Sequence, residues 1–489
     1  MDTPTAAAGL QPGRNVWRIE TARRASVIVD AEDYFAVARA AMVRAKHRIM
    51  LIGWDFDARI DLGDASVDGG PATVGDFILW LVERTPELEI FILRWDIGAL
   101  KSLVRGKTIV KLAQWMLHPR VEVRLDSAHP TGSSHHQKIV VIDDCFAFCG
   151  GIDMTDGRWD TRAHRDDDVG RTGPGGTINM PWHDATSAIE GPAAAALGEL
   201  CRQRWTRAGG AELVPVAGVG DCWPETLHVD FTDVRIGIAR SAPEMPDWPA
   251  TLEIEKLYID MIARARRSIY AESQYFASRR VAEAIVRRLE EADGPDIVIL
   301  NPLTADGWLE PIAMDSARAR LFEALHLRDV HGRLRMFHAY TDGGEPIYIH
   351  AKILVVDDVM LKVGSSNLNN RSMRLDTECD VVIDTALPGN EACGATITAI
   401  RDGLIAEHLG MDVETVAAAL AREPSLIKAI DGLRAGNDRV RDYEVPDLAE
   451  VEKWLADNEV LDPEGPGEMF EGLSDRGLFR NFHLFGGTG

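Results

Sequence analysis

One short pattern, His-x-Lys-x-x-x-x-Asp, is written twice in this chain, and its surroundings are written twice with it. The first copy runs from His136 through Lys138 to Asp143, the second from His350 through Lys352 to Asp357. Ahead of each copy the same signals recur. A helical pattern (residues 34–46 and 255–266) enters an apolar run (48–54 and 268–276). A second helical stretch leads to another apolar run (88–93 and 297–300), and a third run (121–125 and 334–337) leads to the motif. Helical periodicity alternating with short β-branched runs predicts a layered α/β fold. A repeat this long is a duplicated domain, whereas solenoid repeats are far shorter.

On that reading residues 1–30 form an N-terminal arm, 31–210 and 241–410 are the two similar domains, and 211–240 link them. The boundary rests on the Gly- and Pro-containing stretch 208–225. Residues 411–489 read as a helical, acidic tail with a Gly-rich end and no counterpart in the first half.

Within each motif an apolar run follows the lysine, so the segment is expected to be a buried strand. Strand side chains alternate faces, which would put His and Lys on one side and the aspartate at the strand's end. An Asp143-Asp144 or Asp357-Asp358 turn returns the chain to Gly150-Gly151 and Gly364-Ser365, where small residues admit a close approach. Two histidines and two lysines suit phosphodiester cleavage. One neutral imidazole attacks phosphorus, a protonated one serves the leaving oxygen, and the lysines supply fixed positive charge without a metal. Each histidine needs a carboxylate on its other ring nitrogen. The residues following each motif offer Asp166, Asp167 or Asp168 in the first half, and Asp376 or Glu378 in the second.

Paired motifs of this kind, each followed by a Gly-Gly or Gly-Ser turn, resemble the phospholipase D superfamily. Residues 150–160, Pro181-Trp182-His183-Asp184, residues 272–276 and residues 367–378 are similar to its lipid-acting members, and the likeness covers roughly Ala31 to Leu409. It implies two phospholipase D-like α/β/α sandwich domains, related by internal duplication, that share one active site. It further implies His136 as nucleophile and His350 as general acid. Lys138, Lys352 and Asn367 would hold the phosphate, and Asp168 and Glu378 would orient the histidines. The departure is Asp153, where many members carry asparagine.

The rest of the chain narrows the function. With 53 basic and 77 acidic residues the formal charge is −24, which argues against a nucleic-acid partner. No cofactor is expected. His135 beside His136 invites a metal, but a lysine two residues on would repel a cation, so no metal is expected there. The six cysteines contain no C-x-x-C pair and read as free, mostly buried thiols in a reducing compartment. Neither a leader pattern nor a run of about 18 apolar residues is present, so a cytoplasmic or peripheral-membrane location is expected, export without a cleaved signal being the alternative. The expected partners are a phospholipid, a transient membrane surface, and water or an alcohol as acceptor, with the protein a monomer. Alternatives are a cardiolipin-synthase-like phosphatidyl transferase, a nuclease of the superfamily, and an inactive lipid-binding scaffold.

Overall fold

A computed structural model describes residues 9–64, 66–96, 107–217, 220–305 and 310–445. The first half contains β1 (Arg18–Val29), α1 (Ala31–Val43), β2 (Arg48–Gly53), α2 (Val74–Arg84), β3 (Glu89–Trp95) and α3 (Lys107–Leu117). It continues through β4 (Val121–Asp126), β5 (Ile139–Ile142), β6 (Phe146–Gly150), β7 (Trp182–His183), β8 (Ala185–Glu190) and α4 (Pro192–Arg207). The second half contains β9 (Phe231–Ala242), β10 (Thr251–Leu252), α5 (Glu253–Arg264), β11 (Ser268–Glu272), α6 (Arg279–Leu289), β12 (Asp296–Leu300) and α7 (Glu310–Arg328). After it come β13 (Leu334–Ala339), β14 (Tyr348–Ile349), β15 (Ile353–Val356), β16 (Met360–Gly364), β17 (Glu378–Asp384) and α8 (Gly394–Leu409). Helices α9 (Val413–Arg422) and α10 (Leu426–Leu433) and strand β18 (Val440–Asp442) close the described chain.

The duplication is visible in the strand order. One hydrogen-bonded path runs β18-β13-β12-β11-β15-β16-β17-β9-β1-β8-β6-β5-β2-β3-β4. Read outward from the β9–β1 pair, the two halves repeat the same sequence of strands. In each, three parallel strands stand beside the antiparallel hairpin that follows the motif.

Period-two alternation then sorts the side chains into layers. Ile49, Leu51, Val140 and Ile142 face the core under α1 and α2. Ile269, Leu354 and Val356 face the equivalent core under α5 and α6. The opposite faces, with Met50, Ile139 and Val141 from one half and Val298, Ile353 and Val355 from the other, join α4 and α8 in a single middle core. The duplicated α/β fold expected from the sequence is present, and its two units share one apolar interface. Local signals recur as well: Thr73 caps α2 by accepting from Asp76 N–H, and Ser278 caps α6 by accepting from Val281 N–H.

Four expectations are corrected. Residues 1–30 are more than an arm, since β1 is a central strand, and the stretch 211–240 contains most of β9, its partner. Residues 411–445 are more than an appendage, because β18 adds to the sheet edge at β13; the remainder of the tail lies outside the described residues. Cys145 and Cys222 form a disulfide, their Cα atoms 6.3 Å apart, while Cys149, Cys201, Cys379 and Cys393 are free. The connection after α4 folds back over the β5–β6 turn, a contact that cysteine spacing does not reveal. The cysteines thus give no argument for a reducing compartment. No helix among the described residues is long and apolar enough to cross a membrane.

Candidate active site

The two motifs meet through a pairing between halves. In the second half, β14 lies parallel to β7 of the first, matching Tyr348 to Trp182 and Ile349 to His183. The counterpart is a parallel bridge between His135 and Thr377. Backbone hydrogen bonds carry each pairing one residue further, from His136 N–H to the Thr377 carbonyl (3.0 Å) and from His350 N–H to the His183 carbonyl (2.8 Å). The next residue on each partner segment is a carboxylate, Glu378 or Asp184.

These carboxylates take the histidine Nδ1 atoms. His136 Nδ1 lies 3.0 Å from both Glu378 oxygens, and His350 Nδ1 lies 2.6 Å from Asp184 Oδ2. Each half thus completes the histidine of the other. The arrangement leaves Nε2 of each ring for chemistry and fixes its tautomer. Glu378 also accepts from the Ser372 hydroxyl (2.7 Å) and from Ser365 Oγ. Asp184 accepts from Ala185 N–H at 2.8 Å. Gly151 is required here, because a Cβ at that position would land on the Asp184 carboxylate.

The histidine and lysine of each motif precede the strand instead of lying within it, as β5 begins at Ile139 and β15 at Ile353. Strand alternation therefore does not align them. What ties each pair together is local: Lys138 Nζ donates to the His136 carbonyl (2.7 Å), and Lys352 Nζ donates to that of His350. Lys138 also pairs with Asp153 Oδ2 at 3.2 Å, while Asp153 Oδ1 accepts from Trp54 N–H. Asp153 accordingly holds the lysine. Asn367 is buried, its N–H donating to Ser372 Oγ and its side-chain oxygen 3.4 Å from Ser273 Oγ, so it sits within the Glu378 hydrogen-bond network.

Three of the sequence-derived site residues are placed elsewhere. Asp143 accepts the N–H groups of Lys46, His47 and Arg48, and Asp357 accepts those of Arg266, Arg267 and Ser268. Both aspartates anchor the start of the neighbouring strand, β2 or β11, and their oxygens are used up there. Asp168 caps a short 3-10 turn by accepting from Gly170 N–H, in place of orienting a histidine. The residue that sequence reasoning left without a role is Asp184. The Pro181-Trp182-His183-Asp184 word carried it, but downstream spacing equally suited the acidic run 166–168.

Burial dominates the electrostatics. Both histidines are held well below the usual imidazole range, His136 by burial and then by Lys138 and Lys352, His350 by burial and then by Lys352 and Arg158. Burial pushes Glu378 up to about 8, pushes Asp184 up as well, and pulls Lys352 down to about 7. All these shifts disfavour isolated charge; the negative charge of a bound phosphodiester would favour the protonated imidazoles and lysine, and would hold the carboxyls up further. Beyond the pair, the Arg158 guanidinium stands 4.1 Å above the Trp182 ring, which stacks on Tyr348 at 4.5 Å and lies 5.0 Å from the His350 ring.

The family model described as "Phospholipase D" matches residues 41–234 and 335–455, well over half of the chain. The chain belongs to the phospholipase D family. A second model, "Cardiolipin synthase, PLD-like domain", matches residues 258–393. Phospholipase D alpha 1 of Nicotiana tabacum is 25% identical, over 77% of this chain and 63% of its own length. Phospholipase D alpha 1 of Arabidopsis thaliana is also 25% identical, over 82% of this chain and 66% of its own length. Phospholipase D A of Dictyostelium discoideum is 26% identical, over 78% of this chain and 35% of its own. The chain therefore spans a little under two thirds of the plant relatives it matches. Among solved structures, phosphatidylserine synthase of Haemophilus influenzae Rd KW20 superposes with a TM-score of 0.53 over 86% of this chain and 96% of that one. At 13% identity that likeness is one of fold.

Proposed function

We propose that this phospholipase D family protein cleaves the head-group phosphodiester of a glycerophospholipid, through a phosphohistidine on His136. The observation that carries the reading is the exchange of carboxylates: Glu378 on His136 and Asp184 on His350, with Lys138 and Lys352 beside them. His136 Nε2 attacks phosphorus and the bond to the head-group oxygen breaks. His350 gives that oxygen its proton, and then draws a proton from the incoming water or alcohol as it attacks the phosphohistidine. Water yields phosphatidic acid and an alcohol yields the transfer product. Lys138 and Lys352 stabilise the charge on the non-bridging oxygens, and Asn367 belongs to the Glu378 network that positions His136. Membrane contact at the surface, without insertion, is part of this reading.

A phosphatidyl transferase is the second reading, favoured by the cardiolipin-synthase-type match over residues 258–393. The two separate on incubation with phosphatidylcholine and a primary alcohol. Choline release with phosphatidic acid and phosphatidylalcohol supports the first. Turnover only when a second phospholipid serves as acceptor supports the transferase. DNA cleavage without lipid turnover would overturn both. His136→Ala and His350→Ala are each expected to lower turnover at least about a thousandfold with circular dichroism unchanged. Near-normal rates in either variant would refute the paired-histidine mechanism.

A further inference from the structure

Behind His350 lies a cluster of ionisable groups that the proposed reaction does not use. Asp30, His164, His183 and Glu407 each offer one ligand-capable atom, and these atoms all lie within 4.8 Å of one another. All four residues are buried, the two imidazoles completely. His164 Nε2 is 3.2 Å from Glu407 Oε1 and 3.6 Å from Asp30 Oδ2. His183 Nδ1 is 2.7 Å from Glu407 Oε1 and 3.3 Å from Asp30 Oδ1. Ligands at the 2.0–2.1 Å of zinc–nitrogen and zinc–oxygen bonds stand about 3.3 Å apart around a tetrahedron, and these four imidazole–carboxylate contacts, which use one Asp30 oxygen for each histidine, lie near that value.

Ordinary hydrogen bonding leaves the cluster incomplete. His183 Nδ1 and Asp30 Oδ2 are buried without a hydrogen-bond partner, although carboxylate oxygens are close to the former. An N–H on His183 is thus aligned with neither acid, whereas a lone pair directed at a shared ion has no such requirement. The outer ring nitrogens complete the pattern. His164 Nδ1 pairs with Asp160 Oδ2 (3.0 Å), and His183 Nε2 pairs with Glu272 Oε2 (2.9 Å). Histidines that bind a metal characteristically give their other ring N–H to a carboxylate in this way. Around the ligating acids, Arg162 Nε lies 2.8 Å from Glu407 Oε2, an ion pair without an aligned hydrogen bond, and Asp30 Oδ1 accepts from the Asp184 N–H at 3.0 Å. A cavity of about 390 Å³, lined by Asp30, Glu32, Asp33, Arg162 and Arg165 among others, opens beside Asp30.

We propose that Asp30, His164, His183 and Glu407 hold one divalent transition-metal ion of the zinc class, as a structural site. Two imidazoles and two carboxylates, with no sulfur and no exposed coordination position, are a closed borderline donor set of that kind. Its role is positioning. His183 is the residue whose carbonyl accepts the His350 N–H, and the next residue, Asp184, holds His350 Nδ1. The ion would fix that segment against β14. The site is independent of which phosphodiester the protein cleaves.

The test uses the full-length chain, purified without a histidine tag, stripped with chelator and then equilibrated with zinc chloride. Inductively coupled plasma mass spectrometry is expected to find one zinc per chain, and X-ray absorption four nitrogen or oxygen neighbours including two imidazoles. His164→Ala and Glu407→Gln are each expected to lower retained zinc at least about tenfold, while His136→Ala keeps it. Failure of the wild-type chain to take up stoichiometric zinc would overturn the proposal and leave protonated histidines as the cluster's content. So would sulfur neighbours, which would move the ion to the free cysteines, or full occupancy in either ligand variant. The wild-type absorption spectrum decides the matter even if a variant fails to fold.

Discussion

His136 and His350 are reached by the same pairing between halves, yet the residue before the orienting carboxylate is Thr377 in one case and His183 in the other. Behind Thr377 runs a short polar chain. His135 Nδ1 meets Thr377 Oγ1 at 2.8 Å, its Nε2 lies 3.1 Å from Asp126, and Asp126 pairs with Arg204 at 2.5 Å. Burial and the Arg204 charge pull His135 down to about 4, so it is a neutral link in that chain. Behind His183 lies the dense cluster of acids and imidazoles. The orienting groups differ as well, because Glu378 reaches His136 with both oxygens while Asp184 uses one. The His136 side chain keeps 16% of its surface exposed, against 6% for His350. A duplicated frame has thus kept the geometry around both histidines and let their surroundings diverge, which suits the two different roles proposed for them.

The comparison breaks first at the orienting carboxylates. Glu378→Gln and Asp184→Asn are each expected to lower kcat by about two to four orders of magnitude while leaving lipid binding nearly intact. Steady-state kinetics checks this, and a loss confined to KM would contradict it. Next come the aspartates that end the motifs, which occupy the same place in both halves. Asp143→Ala and Asp357→Ala each strip a carboxylate from three backbone N–H groups. A stability loss of about 3 kcal/mol or more is expected for each in urea unfolding, with similar values for the two. The disulfide comes third, since the first half alone carries it. Its equivalent position in the second half is Val359, which follows the Asp357-Asp358 turn as Cys145 follows Asp143-Asp144. Cys222→Ser is expected to cost about 2–4 kcal/mol of stability and to leave the activity of the folded fraction unchanged. The smallest effect belongs to Asp168→Asn, expected to keep turnover within about twofold because that residue only caps a turn. A loss comparable to that of Asp184→Asn would restore Asp168 as the orienting group.

The motif strands, the hairpins behind them and the duplication were legible because each leaves a local trace. Continuous apolar runs, paired acids at a turn and small residues after it need no knowledge of distant chain. Asp143 illustrates this, since its left-handed φ of 50° belongs to a turn that the Asp-Asp pair announces. The exchange of carboxylates left no such trace. His136 and Glu378 are joined by a bridge between segments from opposite halves, and distance along the chain favours the wrong partner for each histidine. Strand β1 was hidden for another reason: Arg18, Glu20, Arg23 and Arg24 interrupt its apolar pattern, and only the structure shows their acids, with Arg18 on Glu199 and Arg24 on Glu190. The buried cluster behind His350 is scattered over residues 30, 164, 183 and 407, so no spacing rule unites its members.

The exchange itself can be read directly from the imidazole protons. With ¹⁵N-labelled histidine, each Nδ1–H held by a carboxylate gives a far-downfield proton resonance. Glu378→Gln is predicted to shift or remove the His136 signal and spare that of His350, while Asp184→Asn does the reverse. Loss of the His350 signal in Glu378→Gln, or of the His136 signal in Asp184→Asn, would show that each half orients its own histidine and contradict the account.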